Sequence, residues 1–116
     1  MDIDVKDLGT CNYNIALSTQ ETTRDRLIDQ TGGNTLLLVE HDHIYTLGKD
    51  SNPKNILNDN CEIIQTDRGG DVTYHGPWQL VGYPIIDLKK MGISIKSYVK
   101  NIEYLLIGTL KDYNID

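Results

Sequence analysis

Apolar residues change their spacing several times along the chain, and each change predicts a new element. Tyr13, Ala16, Leu17, Gln20, Arg24 and Leu27 recur at helical intervals. The apolar members share one stripe, which predicts an amphipathic helix from Tyr13 to about Asp29. Thr22, Thr23 and Asp25 weaken its propensity, and Gly32-Gly33-Asn34 stops it. Thr35 to Glu40 is a short, continuous apolar run after a glycine turn, too short for a helix and suited to a buried strand. Ile44 to Leu47 reads as a second strand ended by Gly48. Lys49 to Asn60, with Pro53 and many Asn and Asp, reads as a loop with an apolar touch at Ile56-Leu57. Cys61 to Thr66 is strand-like, Asp67 to Gly70 is a turn, and Val72 and Tyr74 alternate with Thr73 and His75 as in a half-buried strand. Gly76-Pro77 breaks it. Gln79 to Asp87 is strand-like again, and Pro84 places it at an edge or a bulge. Ser94 is a predicted N-cap. Ile95, Tyr98, Val99, Ile102, Leu105, Leu106, Leu110 and Tyr113 follow at helical spacing, the clearest helix in the chain.

Helix, consecutive strands with short turns, then helix predict an α+β sheet, not a doubly wound fold. No repeat, low-complexity tract or linker divides the chain, so its 116 residues read as one domain or part of one. Composition narrows the function. At 39% hydrophobic residues the chain can build a core. A formal net charge of −6 argues against general nucleic-acid binding, which needs a basic face. No apolar run approaches the roughly 20 residues of a membrane span, and the acidic start is unlike a signal peptide. Two cysteines, Cys11 and Cys61, make neither a disulfide framework nor a zinc site. A reduced, cytoplasmic protein is expected, with no membrane and no nucleic acid among its partners.

The most unusual stretch is Arg68-Gly69-Gly70-Asp71-Val72-Thr73-Tyr74-His75-Gly76-Pro77. Paired glycines let backbone approach a ligand closely, and an arginine beside them can pair with phosphate or carboxylate. The strand then sets a hydroxyl and an imidazole on one face and an apolar and a phenolic side chain on the other, as a small-molecule pocket is lined. The alternative is a tight hairpin using Gly-Gly for geometry alone. Neither a P-loop nor a dinucleotide fingerprint is present. His41 and His43 have the H-x-H spacing that puts two imidazoles on one side of a strand, but no third and fourth ligand is fixed by spacing, so no metal is expected. Lys89, Lys90, Lys96 and Lys100 form the one basic stretch, read either as a solvated face or as a guide for an acidic partner.

Arg68 to Leu88, RGGDVTYHGPWQLVGYPIIDL, closely resembles the signature of the LipB-type octanoyltransferases of lipoate synthesis. The preceding Leu36 to Leu57 resembles that family's upstream strands with their Glu-His and Thr-x-Gly pattern. The resemblance spans essentially the whole chain. It implies a biotin/lipoate ligase-like α+β fold, a mixed sheet flanked by helices whose C-terminal half is missing, with the ligase-type catalytic region over roughly residues 30–116 of a single partial domain. The implied activity is an acyltransferase reaction that moves octanoyl from octanoyl-acyl carrier protein to a lysine of lipoyl domains, those of 2-oxoacid dehydrogenase complexes and of the glycine cleavage H protein. A cysteine thiolate takes the acyl group and the lysine amine then attacks it, with a lysine lowering the thiol pKa and no cofactor.

By the same resemblance, Arg68, Gly69, Gly70, Asp71, Val72, Thr73, Tyr74 and His75 make the substrate-binding segment. Arg68, Gly69 and Gly70 would shape the acyl-binding turn, Val72 and Tyr74 would line the acyl tunnel or support it, and Thr73 and His75 would reach the thioester. His41 either faces the same pocket or makes a structural hydrogen bond at a strand end. The family's catalytic cysteine and lysine fall beyond Asp116. No motif makes Cys11 or Cys61 their substitute, so the chain by itself is expected to be inactive and to aggregate or dimerise loosely. Trp78 stands where the family usually has glycine. If that position needs a positive φ, tryptophan imposes strain, and its indole could shorten the acyl pocket. Two rival readings are an ATP-dependent lipoate or biotin ligase, which shares the Gly-Gly and Tyr-His pattern, and a non-catalytic acyl-binding fragment.

Overall fold

The computed structural model describes residues 2–58 and 60–116. Its elements run β1 (Asp4–Thr10), α1 (Tyr13–Ile28), β2 (Thr35–Glu40), β3 (Ile44–Leu47), a 3-10 turn (Pro53–Asn55), β4 (Glu62–Gln65), β5 (Val72–His75), β6 (Val81–Ile85), α2 (Leu88–Met91) and α3 (Ile95–Asp112). The chain divides into two compact units, one ending at Ile85 and the other comprising Ile86–Asp116. Asp59, within the expected loop from Lys49 to Asn60, lies outside the described residues.

In the first unit the strands form two three-stranded sheets, ordered β1-β2-β6 and β4-β3-β5. β2 lies parallel to β1, with Asp4 opposite Thr35, and antiparallel to β6, with Leu37 opposite Tyr83. A parallel pair needs a crossover, and α1 supplies it, packing on β2 and β6. Ala16 of α1 is fully buried, as are Leu37 and Val39 of β2. Asn12 caps α1 by accepting a hydrogen bond from the Asn14 N–H at 2.9 Å. The buried and half-buried residues Tyr13, Ala16, Leu17, Gln20 and Leu27 follow the expected stripe, whereas Arg24 is exposed beside Asp25.

The structure departs from the sequence reading in three places. β1 was not foreseen at all. β2, expected to be buried on both faces, alternates: Thr35, Leu37 and Val39 are buried and Leu36, Leu38 and Glu40 half-buried. β4 and β5 are not a hairpin, because β3 lies between them, parallel to β4 and antiparallel to β5. The residues from Thr66 to Asp71 therefore arch over the end of β3. The amides of Gly48, Lys49 and Asp50 donate to the carbonyls of Asp71, Arg68 and Gly70 at 3.2, 2.9 and 3.1 Å. A side chain on Gly48 would put its Cβ 2.1 Å from the Gly70 carbonyl oxygen, so only glycine lets the arch cross there.

β2 is followed along the chain by β3, and β5 by β6. The two antiparallel ladders, β2 with β6 and β3 with β5, are thus interrupted at residues 41–43 on one side and 76–80 on the other. In the second unit, Asp87 caps the short α2, which ends at Gly92 with φ 67°. Ser94 caps α3 as expected, its Oγ accepting from the Ser97 N–H at 3.1 Å. Val99, Leu105, Leu106, Leu110 and Tyr113 of that unit are exposed.

Candidate functional site

Both interrupted strands end in a histidine. His41 follows β2 and His75 closes β5, and their ring centroids lie 5.6 Å apart. Tyr13, the first residue of α1, sits 5.4 Å from His41 and stacks on His75 at 6.3 Å. Tyr83 of β6 lies 6.0 Å from His41. Four rings, from α1, β5, β6 and the connection after β2, thus converge at the break between the ladders.

Parity explains the convergence. Along β2, Thr35, Leu37 and Val39 face one way and His41 continues the series; Tyr83 pairs with Leu37 and shares its face. His75 pairs with Ile44, whose side is buried. His41 is itself buried, with 1% of its surface exposed. Its Nδ1 meets the Cys11 carbonyl oxygen at 2.8 Å and its Nε2 the Tyr83 hydroxyl at 2.9 Å. A carbonyl only accepts, so Nδ1 carries a hydrogen. His41 thus ties the connection between β1 and α1 to the end of β2 and steadies Tyr83.

Burial pushes the Tyr83 phenol up to about 12, with the nearby Tyr13 adding to the shift. Tyr13 is raised as well, chiefly by burial and further by Asp67, against the opposing pull of Arg68. His75 moves the other way. Burial holds its imidazole below the usual 6.5, helped by repulsion from His41 and Arg68 and opposed by its hydrogen bond to Gln79. The Gln79 Oε1 accepts from His75 Nδ1 at 3.1 Å, which leaves the lone pair on Nε2. With burial disfavouring its protonated form, His75 can accept a hydrogen bond or a proton from a group brought to the site; the un-ionised Tyr13 can donate one, whereas the Tyr83 proton is committed to His41 Nε2.

The arch beside this cluster is held by Arg68. Its guanidinium donates to the carbonyls of Thr46, Gly69 and Asp71 at 2.8, 2.9 and 2.9 Å and to the Thr46 hydroxyl at 3.1 Å. Arg68 is thus largely spent on backbone, and its charge reaches Tyr13 and His75 from there. Gly69 and Gly70 form the crest, Gly70 with φ 90°. The Asp71 carboxylate accepts from the amides of Asn52 and Val72 at 3.0 and 2.8 Å and from Asn55 Nδ2 at 2.5 Å. These bonds hold its pKa below the usual carboxylate range. Asp71 fastens the arch to the loop after β3.

Thr73 shares the His75 side of β5 and is exposed; Val72 and Tyr74 face the other way. Tyr74 packs on Tyr45 at 5.6 Å, and its hydroxyl is hydrogen-bonded to His43 Nδ1. Gly76 leaves the room that the phenol occupies, since a Cβ there would come within 2.1 Å of the Tyr74 hydroxyl oxygen. So His75 gathers with His41 and Arg68 acts on His75 by charge, Gly69 and Gly70 stay in the arch, and Val72 and Tyr74 face away. The two histidines of the H-x-H pair part as well: His41 is buried against Tyr83, and His43 is exposed against Tyr74. Among the described residues no group of three His, Cys, Asp or Glu is arranged to hold a metal ion. Tyr13 and Tyr83 were missed as site residues. The parity of Tyr83 with Leu37 was the available signal, but reading it required the β2–β6 register.

A family model described as the lipoyl protein ligase A/B catalytic domain matches residues 12–116. The chain belongs to the lipoyl protein ligase A/B catalytic-domain family. Its similarity to particular members of that family is close to 40% identity throughout. It is 41% identical to the octanoyltransferase of Pelobacter propionicus over 111 residues, covering 96% of this chain and 53% of that protein. It is 42% identical to the octanoyltransferases of Geotalea uraniireducens and Solibacter usitatus, covering 97% of this chain and 53% and 54% of theirs. The chain spans about half the length of the curated relatives it matches. Within this lipoyl protein ligase A/B segment lie the arch, the four-ring cluster and all the expected site residues. Among the described residues no helix is long and apolar enough to cross a membrane.

Proposed function

We propose that this chain seats an octanoyl thioester for transfer to a protein lysine, the donor being octanoyl-acyl carrier protein and the acceptors lipoyl domains, in the cytoplasm. The observation that carries this reading is the ring cluster at the break between the ladders, where His75, its Nδ1 bonded to Gln79, lies 6.3 Å from Tyr13 and 5.6 Å from His41, which in turn packs on Tyr83. The octanoyltransferase names of the relatives support the choice of acyl group. In this reading Arg68 and Asp71 hold the arch in shape. His41 is a positioning residue acting through Tyr83, and His75 and Tyr13 bear on the thioester end. An acyl-enzyme route needs a thiolate beside a cation. Cys11 directs its Sγ to the Asn12 carbonyl at 3.5 Å, and Cys61 opens the stretch before β4, so neither is assigned that step.

Two measurements test the proposal. Calorimetric titration with octanoyl-pantetheine should give saturable binding and titration with ATP none; ATP binding without thioester binding would favour the ligase alternative. Incubated with octanoyl-acyl carrier protein and an unmodified lipoyl domain, the purified chain should yield no octanoylated lysine by mass spectrometry. Turnover there would mean that the chain's own residues complete the chemistry.

A further inference from the structure

The connection that interrupts the second ladder contains the only tryptophan of the chain, Trp78. Gly76, Pro77, Trp78 and Gln79 form a turn closed by the Gln79 amide donating to the Gly76 carbonyl at 3.3 Å. Trp78 holds the third position with φ 70°, the left-handed geometry that such a turn reserves for glycine. The strain is fixed from both sides. The Trp78 N–H donates to Glu40 Oε1 at 3.0 Å, and Glu40 precedes His41. Gln79 accepts from His75. The backbone of Trp78 is thereby tethered to both histidines of the site through one residue on either side.

The indole gives the fold nothing in return, since Trp78 is 95% exposed. The positive φ expected of this position, and the strain it puts on a tryptophan, are both present. Leu80, on the same connection, is 74% exposed. A strained backbone that presents a large rigid apolar ring to water, at the rim of a polar cluster, suits contact with an apolar ligand. We propose that Trp78 is a specificity-determining residue whose indole closes over the acyl chain of a thioester seated at the His41–His75 pair, an inference that rests on the octanoyl-thioester reading above. The contact rewards the hydrocarbon and not the pantetheine arm.

The full 116-residue chain serves for the test, because Trp78 is its sole indole reporter. Titration with octanoyl-pantetheine should shift the emission to the blue as the ring leaves water. By calorimetry, Trp78→Gly should bind octanoyl-pantetheine roughly tenfold more weakly, and Trp78→Phe should lose much less. Acetyl-pantetheine should bind the parent and Trp78→Gly equally. Trp78→Gly should melt no lower than the parent, because the left-handed residue is relieved, which separates lost contact from lost fold. Octanoyl-pantetheine binding with unchanged emission and unchanged affinity in Trp78→Gly overturns the role of Trp78 and leaves the site reading intact. Equal losses for the acetyl and octanoyl compounds also overturn it. Absence of any thioester binding to the parent overturns both.

Discussion

His75 and Tyr83 stand in one cluster and are shifted in opposite senses by the same cause, burial, because one loses a positive charge and the other would gain a negative one. Each makes stability depend on pH at its own end of the scale. The folded His75 takes a proton less readily than the unfolded chain. Its contribution is therefore complete above the usual 6.5 and is lost as pH falls through the lower folded value. The folded Tyr83 gives up its proton less readily than the unfolded chain. Its contribution is complete below 10 and is lost as pH rises through about 12. Melting curves across pH should accordingly fall off at both ends, with His75→Gln flattening the acid limb and Tyr83→Phe the alkaline one. An alkaline limb unchanged in Tyr83→Phe would show that the Tyr83 hydroxyl is not held un-ionised by the fold. The Tyr83→Phe substitution also releases His41 Nε2, so some loss at neutral pH should accompany it.

Among the elements, the arch between β4 and β5 has the least freedom. Its crest passes over Gly48 so closely that a methyl group would fall on the Gly70 carbonyl, and backbone cannot swing aside as a side-chain tip can. Gly48→Ala should destabilise the chain by about 2–4 kcal/mol or displace the arch, the range expected of backbone strain and overpacking. Chemical denaturation measures the first outcome, and altered His75 and Tyr13 chemical shifts the second. A Gly48→Ala chain that matches the parent in both would refute the close crossing. Much of this level was readable beforehand. β2, β3 and α3 follow their apolar spacing close to the bounds expected, because each carries its periodicity in its own residues. β1 escaped because Asp4–Thr10 is polar and largely exposed; it is a strand only through its pairing with β2, with a whole helix in between. α2 is one turn fixed by its Asp87 cap and Gly92 stop, too short for any periodicity. The arch was readable as a turn but not as a crossing, since nothing local says that β3 lies between its ends. The site was legible to the same degree: the segment from Arg68 to His75 stood out by composition, while Tyr13 and Tyr83 come into it by register alone.

For the whole molecule, the apolar surface left in water sets the solution behaviour. Val99, Leu105, Leu106 and Leu110 of α3 are each 45–64% exposed, at helical spacing and on a helix with no fully buried residue. Contiguous apolar surface of this kind drives association. Sedimentation of the isolated chain should show a mass that rises with concentration. Leu106→Lys together with Leu110→Lys should reverse this without loss of helix content; a single monomeric species of the parent at every concentration would contradict it.

The interruption between the two ladders separates residues bound by strand register from residues that are not. Registers on either side are set by their own strands, Leu37 with Tyr83 in one and Thr46 with Thr73 in the other. The residues at 41–43 and 76–80 answer to neither. Within the 76–80 connection Gly76 and Gln79 are committed to Tyr74 and His75, so the Trp78 side chain is a position that can change without shifting either register. A tryptophan at a position that prefers glycine is the kind of variation such a seam permits.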